Sequence, residues 1–253
     1  MKSVRLLTLL LFVFAFSCTS DDGSNVEDGT NPNPNLKATG SSARDFLSAD
    51  EYDSVEVEVF YVDGFRPTMQ TLNNLKNFML ARLNKPDGIT FTETEIESPG
   101  NSPYTLDEIV NIESDIRTKY NRPNVLTLFV LFIDGKFSTD TNNTFTLGTA
   151  YRNTSFVVYE NSIKFLSENT VGSNLTQMET TVVLHEFCHL LGLVDFGTDM
   201  QTPHRDTAHG QHCDNENCLM FWQTENHMLA GTIDGIPQLD TNCINDLKAN
   251  GGK

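Results

Sequence analysis

The chain has 253 residues, with 34 acidic side chains against 17 basic ones and a formal net charge of −17. That length suits one ordinary domain with additions. So acidic a chain, with no basic patch in its sequence, is repelled by nucleic acid and by anionic lipid, which excludes polyanion-binding classes.

Lys2 and Arg5 precede an apolar run over residues 6–16, which closes on Ala15-Phe16-Ser17-Cys18. A short basic start, a brief apolar stretch and small residues before a cysteine describe a processed leader. The run is too short to span a bilayer comfortably. Removal of residues 1–17 and lipid attachment at Cys18 are therefore expected, giving an exported lipoprotein of the outer membrane or cell surface. Thr19-Ser20-Asp21-Asp22 resembles the acidic export tag of surface lipoproteins in Bacteroidetes-type bacteria. Residues 18–44, rich in Asn, Gly, Ser, Asp and Pro, cannot bury apolar surface and predict a flexible tether.

The folded domain is expected over 45–253. Residues 54–62 alternate apolar and polar, as a strand with one solvated face does. Pro67 then sits where a helix starts, and Met69, Leu72, Leu75, Phe78, Met79 and Leu83 recur at helical spacing. Residues 89–97 predict a second strand, 104–120 a second helix, and 125–133 a central strand covered on both faces. Shorter strands are expected at 146–151 and 155–159, and a last helix over 242–248. The order predicts an α/β (α+β) fold with a mixed twisted sheet and backing helices. It divides into an N-terminal subdomain (45–192) and a small irregular C-terminal one (193–253).

His185-Glu186-Phe187-Cys188-His189 carries the most chemistry. Histidines four apart on a helix lie one turn from each other on the same face, so both imidazoles reach one metal ion. Glu186 then stands beside the ion as a base for an attacking water. The apolar residues before and after the motif predict a helix buried except on its metal-facing side. Catalytic zinc wants a third protein ligand. Asp195 and His212 both remain candidates, whereas His204 and His209 read as solvated loop histidines.

The pattern His185-Glu186-x-x-His189-x-x-Gly192 resembles the metzincin group of zinc metallopeptidases, in which the glycine ends the helix so that the chain turns back. His212-Cys213, Cys218 and Met220 resemble the archaemetzincin signature, in which the third zinc-binding His is followed by Cys, four residues, Cys, one residue and Met. The resemblance implies that His212 is the third ligand, with Asp195 the alternative, and that residues 194–211 are an insertion. It also implies that Met220 is the Met-turn methionine beneath the metal. Trp222 stands where some metzincins carry a metal-binding tyrosine. A zincin-like fold follows, and an edge strand near residues 147–150 for an extended substrate.

The function expected is a zinc-dependent endopeptidase acting on a peptide or protein, with one catalytic zinc, taken as a monomer that contacts membrane only through its lipid. The rival expectation is a zinc-holding surface protein that binds without turnover. Calcium has no support, because the acidic runs at 195–199 and 214–216 lack EF-hand spacing. Cys188, Cys213, Cys218 and Cys243 allow three disulfide pairings, of which Cys213 with Cys218 and Cys188 with Cys243 is the expected one. Archaemetzincins complete a structural zinc site with a further Cys-x-x-Cys pair. Only Cys243 is present here, so a disulfide is favoured, with a four-cysteine site including Cys188 as the alternative.

Overall fold

The structure, a computed structural model, describes residues 33–224 and 235–253. The leader, Cys18 and the first part of the tether lie outside the described residues. In order, the elements are α1 (Ala43–Leu47), β1 (Tyr52–Val62), α2 (Met69–Arg82), β2 (Gly88–Ile96), α3 (Leu106–Ile116) and β3 (Asn124–Phe132). There follow β4 (Gly148–Arg152), β5 (Ser155–Val158), α4 (Glu160–Asn169), α5 (Leu175–Leu190) and α6 (Thr241–Ala249).

The strands form one five-stranded sheet in the order β2-β1-β3-β5-β4. β1, β2, β3 and β5 run parallel and β4 lies antiparallel at one edge. Alternation sorts the strand residues into two cores. Val55, Val57, Val59, Leu126, Leu128, Val130, Phe156 and Val158 pack with α2, α4 and α5. Phe60, Val62, Phe129, Leu131 and Val157 point the other way, towards Ile109 of α3. Successive side chains leave a strand on opposite faces, so β3, with helices on both sides, is apolar on both faces except at Thr127, whose hydroxyl is hydrogen-bonded.

The two sheet edges differ. β2 carries Glu93 and Glu95 along its exposed length, a charged edge that discourages further pairing. β4 carries no acidic residue, and its free edge borders the cleft described below.

Several elements depart from expectation. The helix predicted over 104–120 ends at Ile116, because Arg117 turns extended and drives its guanidinium inward to Glu113 (2.7 Å), Ser155 and Thr127. α1 and α4 were not expected; α4 is short, with only Ile163 and Leu166 as buried apolar residues. The domain also starts before residue 45. Asn35 is fully buried and its amide reaches Asn121, Thr127 and Thr154, while Asn153 binds the Pro34 carbonyl. A polar segment joined the core by hydrogen bonds, which hydrophobic patterning does not detect.

One buried pair makes stability pH-sensitive. Glu179 of α5 accepts hydrogen bonds from Thr68 N–H (2.9 Å), the Thr68 hydroxyl (2.8 Å) and the Thr71 hydroxyl (2.6 Å), tying α5 to the start of α2. Glu160 of α4, fully buried, faces the same carboxylate; burial first, then the Glu179 charge, push its carboxyl well above the usual range, with only Lys164 opposing. The folded chain therefore holds a proton that the unfolded chain releases near pH 4.5. Stability is full below that value and falls as pH rises through the raised one. Thermal unfolding across pH 4–9 should show this slope, and Glu160→Gln should flatten it, gaining about 2–4 °C at the alkaline end for each ~1 kcal/mol of strain relieved. An unchanged slope in the variant would assign the pH dependence elsewhere.

Candidate metal centre and cleft

α5 brings the first two histidines together. It begins with an Asn174 cap, and buries almost every residue from Met178 to Leu190. Phe187 and Leu184 face the sheet-side core, which leaves His185 and His189 one turn apart with ring centroids 4.8 Å from each other. The helix stops at Leu191, and Gly192 takes φ +69°. A Cβ there would lie 2.7 Å from Thr198 N and 2.9 Å from the Ala43 Cβ, so only glycine permits both the left-handed turn and the close approach.

The chain then loops out and returns His212 to the same spot. Its ring lies 5.3 Å from His185 and 5.2 Å from His189, closing a nearly equilateral triangle. One ligand nitrogen from each of the three lies within 4.8 Å of the others, a group able to hold a metal ion. Two of the rings are fixed by backbone: His185 Nδ1 meets the Leu219 carbonyl at 2.7 Å and His212 Nδ1 meets the His209 carbonyl at 2.6 Å. Each carbonyl selects the Nδ1–H tautomer and leaves Nε2 as a neutral donor, the state zinc requires. Three imidazoles gathered in this way fit a zinc ion of three protein ligands.

Asp195 lies elsewhere. It sits after the glycine turn at φ +61°, half exposed, with its carboxylate 3.6 Å from Arg205. The turn at 194–195 aims it outward, so it neither joins the three rings nor has a ligand imidazole among its partners. Met220 is fully buried, and its carbonyl accepts from Cys213 N–H at 2.8 Å, which anchors it beside the chain that delivers His212.

Glu186 is almost wholly buried and lines a cleft of about 250 Å³ together with His189, His212, Gly148, Thr149 and Ala150. Gly148, within the 147–150 segment expected to be an edge strand, has a close approach to Glu186 that sequence reasoning did not single out. A Cβ at this position would lie 2.6 Å from both Cγ and Oε1 of Glu186. A glycine opening an edge strand just before the metal helix was the available signal, since strand glycines often mark a close approach. The cleft thus places a carboxylate, the His189 and His212 imidazoles and the edge strand around one space.

No protein-family model matches the sequence, and no curated protein matches it. Among solved structures, archaemetzincin from Methanopyrus kandleri superposes with a TM-score of 0.52 at 15% identity, over 78% of this chain and 96% of that one. The chain has an archaemetzincin-like fold. Metalloproteinase-II from Bacteroides fragilis aligns with a TM-score of 0.44 at 12% identity, over 88% of this chain and 59% of that one.

The cysteines depart from the expected disulfides. All four are free and buried. Cys218 and Cys243 approach to 3.7 Å between sulfurs, and Cys213, Cys218, Cys243 and Asp240 present ligand atoms within 4.8 Å of one another. Cys188 is absent from this group because it lies on the inward face of α5, packed in the core. The 213–218 turn instead folds over the start of α6, where Asp240 caps Cys243 N–H at 2.9 Å and keeps its other oxygen 3.4 Å from Cys213 Sγ. Hydrogen bonds from Cys213 and then Cys243 hold the Cys218 thiol well below the usual thiol range. His204, read from sequence as a solvated loop residue, is buried with Nε2 3.5 Å from Cys243 Sγ and 3.5 Å from Asp246.

Proposed function

We propose that the protein is a zinc-dependent endopeptidase in which His185, His189 and His212 hold the ion and Glu186 is the general base. The observation that carries this reading is the triangle of imidazoles, two of which, His189 and His212, line a cleft that also holds Glu186 and borders the edge strand β4. Zinc, when bound, supplies Lewis acidity that brings the pKa of a water from ~16 toward ~7 and polarises a carbonyl. Glu186 takes the proton of the attacking water and passes it to the leaving amine as the peptide bond breaks. The substrate lies extended along β4, where the backbone of this edge strand binds its main chain and Gly148 leaves room for Glu186 behind. Anchoring to the bacterial envelope through Cys18 belongs to this proposal and rests on the N-terminal sequence.

The test is a broad peptide library incubated with the zinc-loaded protein and, in parallel, with the chelated protein. Internal cleavages that disappear on chelation and return with zinc support the assignment. Zinc binding with no cleavage of any peptide would favour the alternative, a surface protein that binds without turnover.

A second, structural zinc at Cys213, Cys218, Cys243 and Asp240 is part of the same reading. Three thiols and a carboxylate fit a closed tetrahedral zinc site, with Asp240 standing where the archaemetzincin resemblance leads one to expect the missing cysteine. Native mass spectrometry should count two zinc ions per chain. Cys218→Ser should bring the count to one and lower the melting temperature, whereas Cys188→Ser should keep both ions. A count of one in the unaltered protein would remove this second site.

A further inference from the structure

His209 sits in the looped-out segment between the glycine turn and His212, where a solvated histidine was expected. Its ring instead lies flat on Trp222, with centroids 4.0 Å apart and planes 5° from parallel. Nδ1 meets the Asp206 carboxylate at 2.6 Å. Its backbone is held as well, N–H donating to the Asp206 carbonyl at 3.2 Å and carbonyl accepting from His212 at 2.6 Å. A side chain still 38% exposed is thus fixed from three directions. Ordering an exposed side chain costs conformational entropy that the stack and the charge-assisted hydrogen bond offset. The immobilised ring lines the same cleft as Glu186, His189 and Thr149.

We propose that His209 is a substrate-binding residue: the Trp222–His209 stack forms a rigid wall of the cleft, and His209 Nε2 hydrogen-bonds to the main chain of the bound peptide. The geometry follows from the Asp206 contact. The carboxylate engages Nδ1, which leaves Nε2 as the ring nitrogen for the substrate. The free edge of β4 offers hydrogen bonds to one side of an extended peptide, and this wall, delivered by the other lining segment, supplies a contact that the strand edge does not. Because the ring is fixed before substrate arrives, no ordering entropy offsets the contact on binding. His209 therefore contributes to affinity for the ground state and transition state alike.

This inference rests on the peptidase reading, and its test keeps the two apart. His209→Ala, His209→Phe and His209→Gln are compared with the unaltered protein for zinc content, kcat and KM on a peptide found by the library. Phenylalanine preserves the stack on Trp222 but has no hydrogen-bonding atom. Alanine and phenylalanine should both raise KM about tenfold, the loss of one hydrogen bond, with kcat and zinc content unchanged. Glutamine, which restores a hydrogen-bonding group, should recover part of the affinity. A phenylalanine variant with unaltered KM would overturn the proposal, as would a fall in zinc content that accounts for the whole effect. If the unaltered protein cleaves no peptide, the peptidase reading fails. The inference is then judged by the affinity of a peptide hydroxamate for the zinc-loaded proteins, where the same tenfold contrast is expected. Equal affinity, or none in the unaltered protein, overturns it.

Discussion

Glu186→Ala is expected to reduce peptide cleavage by about 10³-fold or more, within the range that a positioned base contributes, while zinc content stays at its original value. The carboxylate is nearly buried against Gly148 and lines the cleft beside His189 and His212, but does not belong to the group of potential metal ligands. Removing it takes away the proposed proton acceptor and leaves the three imidazoles and the carbonyls that orient His185 and His212. The fall should appear in kcat, since the proton is transferred only as the reaction proceeds. Glu186→Gln sharpens the test, because it keeps the shape against Gly148 and removes only the basicity. Zinc loss in either variant, or retained turnover in both, would refute the assigned role.

His212→Ala should lose the cleft zinc and all detectable cleavage, whereas Asp195→Ala should keep both. Three protein ligands define the usual catalytic zinc site, and a two-histidine remnant binds far more weakly. The Asp195 carboxylate is turned towards Arg205 at 3.6 Å, so its removal breaks an exposed ion pair worth at most about 1 kcal/mol. The measurement is zinc per chain after dialysis against a weak chelator, with cleavage assayed on the same samples. The second zinc proposed at the cysteine cluster serves as an internal reference, since neither variant touches Cys213, Cys218, Cys243 or Asp240. The reverse pattern, zinc lost with Asp195 and kept without His212, would redraw the centre.

The resemblance to the archaemetzincin signature pointed to His212 before any coordinates, while local spacing kept Asp195 in contention. What separates the two is backbone conformation. Val194 and Asp195 both adopt positive φ after Gly192, which swings the carboxylate outward. Residues with side chains adopt that conformation only under tertiary constraint, so no propensity predicts it. The cysteines show the same limit. Spacing suggested a local 213–218 loop bridge, but the packing of that turn over the start of α6 gathers a residue 25 positions beyond Cys218 and leaves Cys188 in the core.

The sequence by itself determined the mixed sheet with its backing helices, through alternation in β1 and the nearly continuous apolar run of β3. It also determined the pairing of two imidazoles on one helix face, through their spacing of four. These are local periodicities, fixed by the pitch of a helix and the pleat of a strand. Only the tertiary structure decided that Asn35 belongs to the core, that Gly148 makes room for Glu186, that Asp240 joins the three thiols and that His209 stands against Trp222 at the cleft. Each of these depends on where distant segments of chain come to rest, and contacts across such separations leave no period in the sequence from which to read them.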